Sequence, residues 1–168
     1  MKNPDTITIL GIDPGYDRLG WAITKINGSK LQVISYGCIQ TNKKADIFIR
    51  YEQIITELNK VIKDNSPNEL AIENLYFSKN TKTALRVSES RGVVITLALE
   101  NKMRIFEYDP VTIKQSVTGY GKADKKSVEK MTLMQLGLTN KDKVVDDAID
   151  ALAVAVTHFA SRKIRAFA

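Results

Sequence analysis

Three short apolar segments separated by glycine-bearing turns open the chain and predict an antiparallel three-stranded meander. Gly15 and Gly20 bracket the first turn, and the dipeptide Asn27-Gly28 is a strong signal for a tight hairpin at the second. The first segment is a continuous apolar run, as expected of a buried strand that ends in a turn. The predicted strands are Ile7–Asp13, Gly20–Ile26 and Leu31–Thr41.

From residue 46 onward, helical and extended patterns alternate. A meander followed by such crossovers predicts an α/β fold: a five-stranded mixed sheet, three antiparallel strands and then parallel strands, with helices on both faces. The 168 residues fit one domain, 1–168. The predicted strands are Glu69–Glu73 and Arg104–Tyr108, and the predicted helices are 46–64, 82–101, 110–117, 124–137 and 144–161.

The composition is that of an ordinary globular protein, with 43% apolar and 26% charged residues. No apolar run approaches the roughly 20 residues needed to span a bilayer, and the N-terminus lacks a signal-peptide layout. The single cysteine, Cys38, excludes an internal disulfide and a zinc site built from cysteines. A bacterial cytosol is the expected location.

The net charge of +6 is concentrated in one part of the chain. Residues 79–130 carry eleven Lys or Arg against six Asp or Glu, which leaves +5 of that total in this stretch. A basic stretch indicates a polyanion partner, because each neutralised phosphate releases a condensed counterion. A basic surface that only faces solvent would give the same count, so charge alone does not establish that the protein binds nucleic acid.

Two acids stand at the ends of apolar strands. Asp13 closes the first strand just before a Pro-Gly turn, and Glu73 closes the strand that follows the first long helix. If these strands run parallel, both acids lie at one edge of the sheet. Asp13 is either a metal ligand or part of a glycine-rich hairpin that holds a nucleotide phosphate.

Three further acids, Asp146, Asp147 and Asp150, fall within an arc of roughly 100° on the last helix. Like charges at these spacings destabilise a helix unless the N-terminal dipole or a bound cation offsets them. Mg²⁺ is a hard cation that prefers such oxygen ligands. Two strand-end acids and a helical acid pair meet the requirement of a two-metal nuclease, whereas a nucleotide-binding hairpin does not need the helical pair.

Aromatic and basic residues near these acids indicate contacts with DNA. Tyr76 and Phe77 follow Glu73 on a loop, where aromatic rings can stack on unpaired bases. The loop 119–124 leads into a helix that begins with lysines, which suits an anionic ligand. Lys114 and Lys125 are candidates to hold a scissile phosphate, and the predicted DNA contacts are Tyr76, Phe77, Lys79, Lys82, Arg86, Lys122 and Lys126.

The order and spacing of these motifs resemble the RuvC family of Holliday-junction resolvases, from Ile9 to about His158. The matching stretches are GIDPG at 11–15, IEN at 72–74, SKN at 78–80, ALRVSESRGV at 84–93, KQSVTGYGKADKKSV at 114–128 and DDAIDALAVAVTH at 146–158. The resemblance implies an RNase H-like fold and a homodimer that cuts four-way DNA junctions symmetrically. It also implies two Mg²⁺ ions per site, replaceable by Mn²⁺, and the RuvA–RuvB branch-migration complex as a partner.

Carried over by position, the resemblance makes Asp13, Glu73, Asp147 and Asp150 the catalytic metal ligands. It also places Lys114 and Lys125 at functional lysines, and Tyr76 at the aromatic that inserts at the junction centre. Three residues near the first hairpin differ from the pattern that the family commonly carries. Leu19 and Ala22 replace Thr and Gly, and Asp17 is an additional acid near the site. His158 is expected near the end of the last helix, stabilised there by the dipole.

Other functions stay open at this point. One is an RNase H-like nuclease that acts on RNA or RNA–DNA hybrids. Another is an actin-like ATPase, in which the first hairpin would bind the nucleotide phosphates. A third is a DNA-binding module without catalytic activity, which would bind junctions with or without Mg²⁺.

Overall fold

The computed structural model describes residues 7–75, 81–138 and 145–167, without the side chains of 81–82 and 163–167. In these ranges strands and helices follow in the predicted order. The strands are β1 (Thr8–Asp13), β2 (Arg18–Asn27), β3 (Lys30–Gln40), β4 (Glu69–Glu73) and β5 (Arg104–Tyr108). The helices are α1 (Ile47–Asn65), α2 (Thr81–Glu100), α3 (Pro110–Thr118), α4 (Lys125–Leu136) and α5 (Asp146–Phe167). In the described ranges no helix is long and apolar enough to cross a membrane.

The five strands form one mixed sheet in the order β3-β2-β1-β4-β5. The first three pair antiparallel, whereas β4 runs parallel to β1 and β5 runs parallel to β4. The predicted mixed sheet is therefore confirmed. Ile12 lies opposite Ile72 in the parallel pair, so the next residues, Asp13 and Glu73, reach the same edge of the sheet.

The hairpin between β2 and β3 is present, but its predicted turn residues are wrong by one position. Asn27 pairs with Lys30, which leaves Gly28 and Ser29 as the two turn residues. Gly28 has a φ of 58°, while Ser29 is not among the residues with positive φ. This pattern fits a turn that requires glycine at its first central position, rather than the Asn-Gly turn that the dipeptide suggested.

Side chains alternate between the two faces of the sheet, and each face has its own core. Leu10, Ile12, Leu70 and Ile72 pack with residues of α1 and α2. On the opposite face, Ile9 and other residues of alternate positions pack with residues of α3, α4 and α5. The same alternation directs the strand-end acids Asp13 and Glu73 toward the α5 face.

Helix α5 lies unusually close to the sheet because small residues line the contact. A Cβ atom built on Gly11 would lie 2.5 Å from the carbonyl oxygen of Ala151 and 3.1 Å from the Cβ of Ala155. Ala22 of β2 is fully buried against Ala151 and Leu152. The close approach brings the start of α5 to the edge where β1 and β4 end.

The prediction that His158 lies near a helix end, stabilised by the dipole, is wrong. α5 continues to Phe167, and the His158 side chain is fully buried. Its Nε2 is 2.7 Å from Oε2 of Glu69, and its Nδ1 is 2.7 Å from the hydroxyl of Tyr108. Arg162 also donates to Glu69, at 2.6 Å. These partners satisfy a carboxylate that would otherwise be buried at high cost.

The polar pair Glu69–His158 and the edge acids lie at opposite ends of the same helix–strand contact. Asp150 and His158 are eight positions apart in α5, and Glu69 and Glu73 are four positions apart in β4. At the standard rises these spans are roughly 12 Å of helix and roughly 13 Å of strand. The stretch of α5 and the stretch of β4 between the edge acids and the buried Glu69–His158 pair are therefore nearly equal in length.

Candidate active site

Four carboxylates converge at the edge of the sheet where β1 and β4 end. Burial raises the pKa of Asp13 to about 8, and the negative charges of Glu73, Asp150 and Asp147 add to the increase. Burial also raises the pKa of Glu73 to about 7, with a further contribution from Asp150. The pKa of Asp150 is raised as well, first by its burial. The geometry agrees, because Gly20, the ladder partner of Asp13, lies against Asp147, and Glu73 and Asp150 line one cavity.

The first turn of α5 reaches this site because Gly20 has no side chain. A methyl group on Gly20 would overlap the carbonyl oxygen and carbonyl carbon of Asp147. Gly20 pairs with Asp13 across the β1–β2 ladder. The glycine therefore lets Asp147 lie beside the strand that carries Asp13.

Two cations pair with the acids of α5. The Arg18 guanidinium donates from Nε to Oδ2 of Asp147 at 2.7 Å, and its Nη2 is 2.5 Å from the same oxygen. Nζ of Lys125 is 3.3 Å from Oδ2 of Asp150 and 3.9 Å from Oδ2 of Asp146. The Asp146 side chain is 70% exposed, against 32% for Asp150 and 23% for Asp147, so Asp146 lies at the outer margin of the site.

The donor set suits a hard divalent cation, because it consists of carboxylate oxygens that repel one another in a poorly solvated place. Within residues 7–75, 81–138 and 145–167, however, no group of three or more acidic, His or Cys side chains is already arranged to hold a metal ion. Asp147 and Asp150 are instead turned toward Arg18 and Lys125.

A cavity of about 330 Å³ opens beside the carboxylates and contains both candidate lysines. Its polar lining is Glu73, Asp150, Lys114 and Lys125, and its apolar lining is Pro110, Ile113, Val128 and Ala153. The lysines are placed by two helix starts. Asp109 caps α3 through a 2.8 Å bond from the Thr112 amide, and Asp124 caps α4 through a 2.7 Å bond from the Ser127 amide. Both caps begin helices where the sequence predicts them.

The predicted DNA contacts are more scattered, and several lie outside what the structure describes. Tyr76, Phe77 and Lys79 fall outside the described residues, as does the side chain of Lys82. Arg86 is exposed, donates to Glu89 at 2.8 Å, and lines a separate hollow with Tyr16.

Two predicted contacts lie near the start of α4. Lys122 is exposed in the loop before this helix, and Lys126 lines a groove on α4 with Glu129 and Met134. Neither of them, nor Arg86, lines the carboxylate cavity.

Three arginines that are not among the predicted site residues help to organise the site and its surroundings. Arg18 pairs with Asp147, as described above. Arg91 donates to the carbonyl of Glu73 at 3.3 Å and to Oδ1 of Asn74 at 3.0 Å, which anchors the end of β4. Arg50 is the third. None belongs to a local pattern, because each meets its partner only through tertiary contact.

Arg50 also corrects the interpretation of Asp17 as an added acid of the metal site. The buried Arg50 side chain donates to the Tyr16 carbonyl and to Oγ1 of Thr41, both at 2.9 Å, and it forms an ion pair with Asp17. The hydrogen bond from Arg50 is the main cause of the lowered pKa of Asp17. Asp17 therefore fixes the β1–β2 turn and is already neutralised by its own partner.

A mixed sheet of this order, with helices on both faces, is the RNase H-like fold. The family described as crossover junction endodeoxyribonuclease RuvC matches residues 9–158. The chain belongs to this RuvC family.

Individual relatives agree over nearly the whole chain. The RuvC protein of Pseudothermotoga lettingae is 44% identical over 156 residues, covering 93% of this chain and 96% of the relative. That of Caldicellulosiruptor saccharolyticus is 46% identical over 154 residues, covering 91% and 92%. The structure of T. thermophilus RuvC in complex with a Holliday junction substrate superposes with a TM-score of 0.87 at 26% identity, covering 95% of this chain and 96% of that one.

Proposed function

We propose that the protein is a structure-selective DNA endonuclease that resolves Holliday junctions in homologous recombination and DNA repair by metal-dependent hydrolysis of phosphodiester bonds. The observation that carries the proposal is the convergence of Asp13, Glu73, Asp147 and Asp150 beside a cavity that contains two lysines. Membership of the RuvC family and the likeness to a junction-bound relative support this substrate.

In this proposal the four carboxylates bind two Mg²⁺ ions, which Mn²⁺ can replace. These carboxylates supply oxygen donors, are partly buried and repel one another, so binding a divalent cation is more favourable for them than remaining without one. Bound metal would supply a water of lowered pKa and neutralise the charge of the departing oxygen. Asp146 is left out of the ligand set because its side chain is mostly exposed.

Lysines and aromatic residues orient the DNA. Lys114 and Lys125 line the cavity next to Glu73 and Asp150, where each can donate to an oxygen of the scissile phosphate and stabilise the charge that develops on it. Tyr76, with Phe77, stacks on bases at the opened branch point. The proposed phosphate contacts that set the register of the duplex arms are Lys79, Lys82, Arg86, Lys122 and Lys126.

We include in this proposal a homodimer formed through α2. Leu85 and Leu99 are 62% and 61% exposed and lie about four turns apart on one face of the helix. Between them, Gly92 leaves open space that would let a second helix approach closely. A twofold contact of this kind would place two active sites on symmetry-related strands of one junction. RuvA–RuvB is the proposed partner complex, in a bacterial cytosol.

The test is cleavage of a synthetic four-way junction by the wild type and by Asp147→Asn, each with and without Mg²⁺. We expect both proteins to bind the junction, and only the wild type with Mg²⁺ to make paired nicks. Asp146→Asn is the matched control, because it removes a neighbouring but exposed charge and should cleave like the wild type. Undiminished cleavage by Asp147→Asn would refute the metal assignment.

The same assay, with other substrates, separates the alternatives. Comparable cutting of an RNA–DNA hybrid and of the junction would indicate a general RNase H-like nuclease. ATP binding without junction cleavage would indicate an actin-like ATPase. Junction binding that is unchanged by Mg²⁺, with no nicks at any pH, would indicate a DNA-binding module.

A further inference from the structure

Arg18 occupies one of the two carboxylate oxygens of Asp147, Oδ2, beside the proposed metal site. Both Nε and Nη2 of Arg18 approach the same Oδ2 atom, at 2.7 and 2.5 Å, although the Arg18 side chain is 42% exposed and could extend into solvent. Asp147 is the acidic partner of Arg18 within 4 Å among the described residues. The contact is therefore a specific one at the margin of the site.

A guanidinium and a divalent cation compete for this carboxylate. Arg18 donates two N–H groups to Oδ2, and a divalent cation bound to either oxygen of Asp147 would stand close enough to the guanidinium for the positive charges to repel one another. Arginine does not lose its proton in proteins, so it can leave Asp147 only by moving away. Asp150 is likewise paired with a cation, because Nζ of Lys125 is 3.3 Å from its Oδ2.

We propose that Arg18 is a positioning residue that holds Asp147 in the metal-free protein, is displaced when a divalent cation binds that carboxylate, and then binds a phosphate of the DNA. The exchange requires no bond to be made or broken covalently. Guanidinium groups match the geometry of phosphate oxygens, so the released side chain has a favourable new partner in bound DNA. The DNA part of this inference rests on the proposed function, whereas the metal part does not.

The metal part is tested without DNA by measuring Mn²⁺ affinity, through the electron paramagnetic resonance signal of the free ion. We expect Arg18→Gln to bind Mn²⁺ about two- to fivefold more tightly than the wild type, because it removes a competing ion pair of ordinary strength. Arg18→Lys keeps the charge but not the paired donors and should fall between them. Equal or weaker binding by Arg18→Gln would overturn the proposal.

Lys43→Gln is the matched control for this measurement. Lys43 is exposed and pairs with Asp17 at 3.5 Å, so its loss removes one positive charge from a neighbouring ion pair without touching Asp147. Its Mn²⁺ affinity should equal that of the wild type. An increase as large as that of Arg18→Gln would mean that net charge, rather than displacement of Arg18, controls metal binding, and would also overturn the proposal.

The phosphate part is tested by junction binding in EDTA and in Ca²⁺. In Ca²⁺, Arg18→Gln should bind the junction about three- to tenfold more weakly than the wild type, the range expected for one hydrogen bond to a charged group. In EDTA, where Arg18 stays on Asp147, the two proteins should bind equally. Equal losses in both conditions, or a loss in neither, would overturn the exchange. Absence of junction cleavage would refute the proposed function and leave the Mn²⁺ result standing.

Discussion

Gly20 of β2 lies directly against the carbonyl oxygen of Asp147, in the first turn of α5. The contact is between backbone atoms on one side and a residue without a side chain on the other, so neither partner can yield by changing a rotamer. It sets how far the acids of α5 stand from Asp13, which is the ladder partner of Gly20. A glycine in a strand thus fixes the geometry of a site to which it contributes no functional group.

We expect Gly20→Ala to lower junction cleavage by about 100-fold, because a displacement near 1 Å at the reacting groups has that effect. The added methyl group must push the start of α5 away and should cost about 1–3 kcal/mol of stability. Gly28→Ala is the control: its positive φ makes alanine cost about 1–2 kcal/mol, but nothing lies near it and it is far along β2 from the site. Urea unfolding and cleavage rates check both variants, and equal rates would contradict the prediction.

Asp13→Asn should make the metal-free protein more stable while abolishing cleavage. At pH 9 the Asp13 carboxylate, whose pKa is raised to about 8, is ionised among other buried acids, and its neutral replacement should gain about 1–3 kcal/mol. The melting temperature in EDTA measures this gain. Added Mg²⁺ should stabilise the wild type more than the variant, by mass action.

The comparison for that experiment is Asp146→Asn, whose carboxylate is mostly exposed. We expect its melting temperature in EDTA and its cleavage rate to stay close to those of the wild type. A lower melting temperature of Asp13→Asn than of the wild type in EDTA would show that the buried acids do not repel one another.

Replacing Lys125 and replacing its neighbour Lys126 should have different effects. Lys125 lines the cavity and pairs with Asp150. Lys125→Ala should therefore lower the cleavage rate of enzyme-bound junction by about 100-fold, with little loss of affinity for the junction. Lys126 lies outside the cavity, so Lys126→Ala should leave that rate unchanged. It should weaken binding and lower the slope of log affinity against log salt by about 0.9, as for one lost phosphate contact. Single-turnover rates and salt titrations measure the two effects; equal rate losses would contradict the assignment.

Glu69→Gln should destabilise the protein at neutral pH and less so in acid. Burial pushes the pKa of Glu69 upward, but the His158 hydrogen bond and the charges of Arg162 and Arg104 outweigh it, so the pKa is lowered. A lowered pKa means that the ionised carboxylate stabilises the fold fully above the usual glutamate value near 4.3, and that this stability is lost as the pH falls through the lowered value.

We therefore expect Glu69→Gln to lose about 2–4 kcal/mol at pH 7, with a smaller difference at pH 3.5, in urea unfolding. Glu107→Gln is the control, since that ion pair with Arg91 is partly exposed and worth at most about 1 kcal/mol. If the difference in the free energy of unfolding between Glu69→Gln and the wild type were larger in acid, the Glu69 pKa would be raised rather than lowered.

Leu99→Glu should convert a dimer into monomers. The exposed face of α2 that contains Leu85 and Leu99 would then carry a charge at the proposed contact. We expect sedimentation to show a monomer, and cleavage to give single rather than paired nicks. Met134→Glu places the same charge on an equally exposed apolar residue of α4 and should stay dimeric. Identical sedimentation of both variants would argue against a contact through α2.

The kind and order of the elements follow from local patterns, and so does the placement of the strand-end acids. Periods of two and 3.6 residues distinguish strands from helices, and the capping residues Asp109 and Asp124 mark two helix starts. The turn at Gly28 was misplaced by one residue because the pairing of two strands, and not one dipeptide, decides which residues remain unpaired.

Partners that meet only in the folded chain could not be predicted. Glu69 and His158 are 89 residues apart, and Arg18 and Asp147 are 129 apart. A buried carboxylate at the start of an apolar strand, such as Glu69, has the same local sequence appearance as one that reaches solvent. The strand-end acids and Lys125 are predicted as site residues because each stands at the end of an element beside a turn or loop, whereas the pairing of Arg18 with Asp147 has no local signal.

The equal spans of α5 and β4 limit how this chain can change in length. One extra residue in β4 would turn its acids to the opposite face, and one extra residue in α5 would rotate its side chains by about 100°. Either insertion would separate Glu69 from His158, or Glu73 from Asp150, but could not preserve both. Insertions should therefore be rejected in these two elements and accepted between the exposed residues Lys43 and Lys44, in natural variants and in engineered ones alike.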